Sequence, residues 1–295
     1  MKTRSKKIFF RELAQLLKTN AHKIIAGNRE DIQKAKKQGL PSVFVSRLEM
    51  REKDIDSLIT RVKEVGKAEE CVGRVREEKR LANGVLLRKI SVPLGTILVI
   101  YEARPEVTID VAILAIKSEN RVILKGGSEA SQTNSVLFSL LQSALVKAGI
   151  QKDFIQILAI KKRKELYDVL QKREDIDLVI ARGGYAMVRE VQERSQIPVL
   201  AHSSGGARIY VDKSADIPMA LNIITNAKVS KPTACNSVDT VLVHKKIAKQ
   251  FIPLLGKRMK DYGVPMKTNL DWNMELLDLV VGVKIVRDVE EAIAF

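Results

Sequence analysis

From residue 96 onward, short apolar runs alternate with amphipathic stretches, and few architectures accept that rhythm. TILVIY (96–101) is continuously apolar and bounded by Gly95 and Pro105, as a strand covered on both faces requires. VTIDVAILAIKS (107–118) reads as a helix, RVILK (121–125) as a strand and 129–148 as a helix. A strand at FIQILA (154–159), a helix over 163–171, a strand at DLVIA (177–181), a helix over 185–194 and a strand at IPVLA (197–201) follow. Strands that recur with helices between them predict a parallel sheet with helices on both faces. Nucleotides bind such sheets beyond the carboxyl ends of the strands.

The rest of the chain flanks this block. Residues 6–65 read as helices with short turns, since Leu13, Leu16, Leu17, Ile24 and Ile25 recur at helical spacing. Gly39 to Ser42 is a turn with a helix start behind it, and VLLRKISV (85–92) reads as a strand. Past residue 205 the alternation restarts with strands at 208–212, 237–244 and 277–286 and helices at 215–228 and 245–262. DVEEAIAF (288–295) opens an amphipathic helix. The expected fold class is therefore α/β, with a parallel nucleotide-binding sheet carrying helices on both faces and a second α/β domain. The expected boundary divides 1–205 from 206–295.

Composition narrows the function classes. A chain of 295 residues with 45% hydrophobic content can bury a core without disulfides or structural metal. No apolar run reaches the about 18 residues of a membrane span. Arg11, Glu12 and Gln15 interrupt the basic N-terminal segment, so it reads as the first helix of a cytoplasmic protein and not as a secretory signal. Cys71 and Cys235, with His22, His202 and His244, are too few and too scattered for a zinc site, and both thiols should be free. A net charge of +16 attracts phosphates, while 4% aromatic residues argue against a base-stacking platform. Much of the surplus lies on solvated helix faces such as 161–166 and 244–250.

Three motifs carry chemistry. Lys125-Gly126-Gly127-Ser128-Glu129 follows a predicted strand and opens a predicted helix, where backbone N–H groups and the helix dipole point outward and glycines admit a ligand. Arg182-Gly183-Gly184 repeats the arrangement, as two turns serving one ligand with two phosphates would. Neither is an ordinary GxGxxG or P-loop, and each is equally readable as a tight strand–helix turn. Cys235 lies in the polar, turn-rich segment NAKVSKPTACNS, with Lys228 and Lys231 near in sequence to favour a thiolate and Asn236 behind it. The residues alone leave it either an inert buried thiol or a nucleophile. His202, in AHSSGG, is a candidate base or part of a hinge.

These residues sit in longer stretches that resemble one family. VPLGTILVIYEARPEVTIDVAILAIKSENRVILKGGSEA (92–130) is similar to the signature of gamma-glutamyl phosphate reductases, the glutamate-5-semialdehyde dehydrogenases of the aldehyde dehydrogenase superfamily. The likeness continues through 177–184, 197–202, 209–228, KPTACNSVDTVLVHK (231–245) and 271–286. The resemblance implies NADPH-dependent reduction of L-glutamyl 5-phosphate to L-glutamate 5-semialdehyde in proline biosynthesis. Cys235 would be the nucleophile that expels phosphate and carries a thioacyl group, with Arg104 and Asn236 beside it and Lys231 on the substrate phosphate. Lys125, Gly126, Gly127, Ser128, Glu129, Arg182, Gly183, Gly184 and Glu275 would hold NADP, with residues 206–295 forming the catalytic domain. AHSSGG lacks the glutamate that hydrolytic members use to activate water. Glu119 stands where the family has Gly in KSGN. Family members continue beyond the position of Phe295, so the second domain is expected to be incomplete and the oligomerisation segment of these homo-oligomers to lie outside it. The implied partners are the small-molecule substrate and a glutamate 5-kinase that hands over the labile acyl phosphate, with no membrane and no nucleic acid. The rival readings are another acylating aldehyde dehydrogenase, or a truncated, inactive nucleotide-fold protein that binds anions or nucleic acid.

Overall fold

The computed structural model describes residues 1–295 except Lys161, residues 202–205, Cys235, Asp271, residues 273–275 and the Val43 side chain. The chain divides into two compact units, residues 1–202 and 203–295.

The first unit opens with helices α1 (Thr3–Thr19), α2 (Ala21–Lys37), α3 (Ser42–Leu48) and α4 (Glu52–Lys67). The expected apolar spacing becomes a buried stripe of Phe9, Leu13 and Leu17 on α1 and of Ile55, Leu58 and Val62 on α4. β1 (Val75–Arg80) and β2 (Leu86–Ile90) then pair antiparallel, with every residue exposed. The sequence signals β2; β1, VREEKR, carries no alternation and is a strand because β2 supplies its hydrogen-bond partners.

The sheet consists of β3 (Thr96–Tyr101), β4 (Arg121–Gly126), β5 (Ile155–Ile157), β6 (Leu178–Arg182) and β7 (Val199–Ala201). Its order is β5-β4-β3-β6-β7, parallel throughout. The connecting helices are α5 (Val107–Ser118), α6 (Ser131–Lys147), α7 (Arg163–Leu170) and α8 (Tyr185–Arg194). β3 explains its own unbroken apolar run. Val99 and Tyr101 enter the core shared with α1, α4, α5 and α6, while Leu98 and Ile100 enter the core shared with α7 and α8. At the end of α5, Glu119 takes a left-handed φ of 59°, the conformation that glycine adopts without strain. Its carboxylate lies 2.8 Å from the buried Lys6 ammonium and 2.6 Å from the N-terminal amine, contacts that glycine would lack.

The second unit contains β8 (Ala207–Val211), α9 (Ile217–Val229), β9 (Val238–His244), α10 (Lys245–Asp261), β10 (Met266–Lys267), β11 (Val281–Val286) and α11 (Val289–Ala294). Its parallel sheet runs β10-β11-β9-β8, and β9 is buried along its whole length. The strand expected over 277–286 begins only at Val281, because Leu277 turns the chain with a φ of 47°. The Asp288 side chain caps α11 by accepting from Glu291 N at 2.9 Å. Among the described residues no helix is long and apolar enough to cross a membrane.

Candidate functional site

The strand order reverses at β3, with β4 and β5 on one side and β6 and β7 on the other. A doubly wound sheet opens a crevice at the carboxyl edge of that reversal, because successive connections leave in opposite directions. Three segments emerge there: Glu102 to Pro105 from β3, Lys125 to Glu129 from β4, and Arg182 to Gly184 from β6. Tyr101 is in register with Gly126 on one side and Arg182 on the other, so the two glycine turns flank the same point.

Beneath Gly126 lies a buried polar chain. Tyr101 Oη and Thr108 Oγ1 are 2.7 Å apart, and Thr108 Oγ1 donates to Asn134 Oδ1 at 2.9 Å. A Cβ at residue 126 would stand 2.4 Å from Asn134 Nδ2 and 3.1 Å from Tyr101 Oη, so only glycine fits over this chain. Burial pushes the Tyr101 phenol up to about 12, against the opposing hydrogen bond with Thr108, which leaves a neutral hydroxyl at the crevice floor.

Lys125 is half-buried and donates from Nζ to Gly126 O at 2.9 Å. Burial lowers its pKa, while the Glu129 and Glu102 carboxylates act in the opposite direction. Glu129 accepts the Ala103 amide at 2.7 Å, where Ala103 holds a left-handed φ of 48°. Glu102 accepts the Gly184 amide at 2.8 Å, at the start of α8. A Cβ at Gly183 would lie 2.5 Å from that carboxylate. Neither Glu102 nor the Tyr101–Thr108–Asn134 chain carries a local signal, since Glu102 acts on Gly184, 82 residues away, and the chain closes only at Asn134, 26 residues from Thr108.

The expectation of free amides at the first turn needs correction. The turn runs into a 3₁₀ segment, Ser128–Ala130, and α6 starts at Ser131. The α6 amides of Gln132 and Thr133 donate to the buried Asp31 carboxylate of α2 at 3.1 and 2.8 Å, and Thr133 Oγ1 donates to it at 2.6 Å. The protein's own carboxylates thus occupy donors at the start of both helices. Ser128 and Arg182 are exposed at the crevice, and Arg104 is half-buried after β3.

In the second unit, Lys231 and Asn236 are exposed in the connection from α9 to β9, on either side of Cys235 in sequence. The connection is built from two turns, Ala234 N to Lys231 O at 3.0 Å and Ser237 N to Ala234 O at 2.9 Å. Lys228, near Cys235 in sequence, has partners inside the second unit. Fully buried, it donates to Asp278 O at 2.9 Å and lies 3.6 Å from Asp239. Burial lowers the Lys228 pKa and raises that of Asp239, each against the pull of the other's charge. Cys235, His202 and Glu275 lie outside the described residues. His244 caps α10 through Nδ1, and Cys71 Sγ contacts Lys117 O at 3.7 Å, so both sit in structural roles.

The family model for the aldehyde dehydrogenase family matches residues 2–275. A gamma-glutamyl phosphate reductase of Maridesulfovibrio salexigens is 40% identical over 297 residues, covering 95% of this chain and 71% of that protein. The chain belongs to the aldehyde dehydrogenase family, in its gamma-glutamyl phosphate reductase branch. The crystal structure of a gamma-glutamyl phosphate reductase from Thermotoga maritima superposes with a TM-score of 0.90 at 34% identity, covering all of this chain and 75% of that one. An engineered glycolyl-CoA reductase with bound NADP+ shares the fold, with a TM-score of 0.70 at 15% identity, covering all of this chain and 74% of its own. Aldehyde dehydrogenases use nicotinamide cofactors, and the crevice suits one. It lies at the switch point, it carries Lys125 and Arg182 beside two glycine turns, and added Cβ atoms would obstruct it at Gly126 and Gly183.

Proposed function

We propose that the chain reduces L-glutamyl 5-phosphate to L-glutamate 5-semialdehyde with NADPH, releasing phosphate, as a cytoplasmic step of proline biosynthesis. The observation that carries this reading is the switch-point crevice with its two basic glycine turns, in a chain 40% identical to a gamma-glutamyl phosphate reductase. In this scheme residues 1–205 hold the cofactor and residues 206–295 act on the substrate.

The Cys235 thiolate attacks the acyl carbon of the mixed anhydride. A C–S bond forms, the C–O bond to phosphate breaks, and Lys231 offers its ammonium to the departing dianion. A thioester accepts a hydride more readily than a carboxylate does, and its covalent attachment keeps the carbonyl in place. A reduced nicotinamide, when bound, would supply that hydride. Charge that develops on the carbonyl oxygen needs hydrogen-bond donors, and the candidates are the Cys235 backbone N–H, the Arg104 guanidinium and Asn236. Breakage of the C–S bond then releases the aldehyde and returns the thiolate. Lys125 and Glu129 serve the adenosine ribose, and Gly126, Gly127 and Ser128 admit it. Arg182, Gly183 and Gly184 would hold the pyrophosphate, Glu275 would serve the nicotinamide ribose, and the cations at Lys125 and Arg182 would favour the extra phosphate of NADP. A glutamate 5-kinase is the natural source of the labile substrate.

The test is the reverse reaction, with glutamate semialdehyde reducing NADP in the presence of phosphate. Wild type should show phosphate-dependent NADPH formation, and Cys235→Ala should lose it. Turnover with coenzyme A in place of phosphate would favour the broader acylating reading, and turnover retained by Cys235→Ala would remove the thiol from the mechanism.

A further inference from the structure

A concave groove of about 830 Å³ lies between α1 and α4, in the first unit and apart from the carboxyl edge of the sheet. Its floor is apolar, made by Phe10, Ala14 and Ile59, all nearly buried. Seven cationic side chains and two carboxylates line it. Both carboxylates are already committed. Glu70 accepts Lys6 Nζ at 2.5 Å and Lys117 Nζ at 2.9 Å, and Glu12 meets Arg11 at 3.0 Å and Lys147 at 3.1 Å. That leaves Lys7, Lys18, Lys63 and Lys67 with no ion pair among the described residues.

Two like-charged pairs at i,i+4 spacing, Lys7 with Arg11 on α1 and Lys63 with Lys67 on α4, line this one groove. Each such pair is unfavourable on an isolated helix. Chance solvated lysines spread over a surface; here they converge on a cavity whose volume falls in the small-molecule range of about 300–1,000 Å³. The geometry points to a binding site for a small organic anion, a phosphate or carboxylate head on an apolar body, with Lys63 and Lys67 gripping the head and Phe10, Ala14 and Ile59 receiving the body. The lysine stems extend the apolar wall while their ammonium groups reach the rim, which suits a ligand with one charged end. A single-stranded nucleic acid, by contrast, needs exposed aromatic faces on which bases stack, and Phe10 in this floor is only 5% exposed.

The probes are hexyl phosphate, inorganic phosphate and a 20-nucleotide single strand, titrated calorimetrically into the full chain in the presence of saturating NADPH. Hexyl phosphate should bind with one-to-one stoichiometry, and NADPH should leave its affinity unchanged. Lys63→Glu/Lys67→Glu should weaken it at least about tenfold, the loss of one or two charge-assisted hydrogen bonds, while Lys63→Arg/Lys67→Arg retains it. Gln15→Trp, an exposed groove position, should weaken hexyl phosphate by obstructing the body without removing charge. Melting temperature should not fall and reductase turnover should not change in these variants. The inference is overturned if hexyl phosphate does not bind, if inorganic phosphate binds as tightly, if NADPH displaces it, or if the glutamate variant binds as wild type does. Binding of the oligonucleotide that is lost in that variant would reassign the face to nucleic acid.

Discussion

Asp31 is the residue whose replacement tests the architecture behind the crevice most directly. It is 1% exposed, on α2, and accepts three hydrogen bonds from the start of α6 at 2.6, 2.8 and 3.1 Å. Asp31→Ala leaves two amides and the Thr133 hydroxyl without this acceptor, in a place water reaches poorly. Charge-assisted bonds contribute about 1.5–3 kcal/mol each, and they share one acceptor, so the sum is sub-additive at about 3–5 kcal/mol. For a unit of about 200 residues each kcal/mol moves the midpoint by about 2–4 °C, which places the drop near about 10 °C. Asp31→Asn keeps one acceptor oxygen and should lose about half as much. Differential scanning fluorimetry gives the midpoint, and hydrogen-exchange mass spectrometry should show protection lost first over residues 131–135. The adjoining turn, Lys125 to Glu129, should loosen with them and raise KM for NADPH. A drop below about 2 °C with unchanged exchange at α6 would refute the reasoning, as would an Asn variant no better than the Ala variant.

Gly126→Ala drives a methyl group into Asn134 and Tyr101, with an expected cost of about 1–3 kcal/mol and a raised KM for NADPH; a neutral midpoint would show that the polar chain gives way. Glu102→Gln keeps an acceptor for the Gly184 amide but removes a negative charge from the crevice, so NADPH should bind about three- to tenfold more tightly by fluorescence titration; weaker binding would contradict the proposed pyrophosphate position. Hydrogen bonds from Lys6 and Lys117 hold the Glu70 carboxyl below its ordinary value near 4.5; at Glu119 burial acts to raise the carboxyl, but the Lys6 and N-terminal contacts together outweigh it and hold it low. Both folded values are depressed, so this stabilisation is complete above the ordinary value and is lost as pH falls through the depressed one. Melting midpoints should therefore fall as pH is taken below the ordinary carboxyl value, and Glu70→Gln should flatten that slope; parallel slopes would exclude Glu70 as a contributor.

Much of the first unit is legible from local pattern. β3 spans the six residues of TILVIY and α5 the twelve of VTIDVAILAIKS, because an unbroken apolar run and a helical repeat report burial that each segment meets by itself. Where partner and conformation decide, local pattern fails. VREEKR is a strand through its register with β2, and 277–280 is not one because Leu277 turns left-handed. The two glycine turns are visible in sequence, yet their chemistry is not. Asp31 lies 101 residues from Gln132 and Glu102 lies 82 from Gly184, and only the folded chain brings these carboxylates to the helix starts. The same holds for Lys228, whose burial against Asp239 and Asp278 no local pattern announces.

The amino-acid order by itself thus determined the α/β class, the strand–helix rhythm and the family, since these rest on periodicity and on contiguous motifs. The tertiary structure alone decided which donors at the crevice are already taken, which lysines are buried, and that four with no ion pair among the described residues line one groove. Electrostatic interactions act through space, and separation along the chain carries no information about separation in the fold.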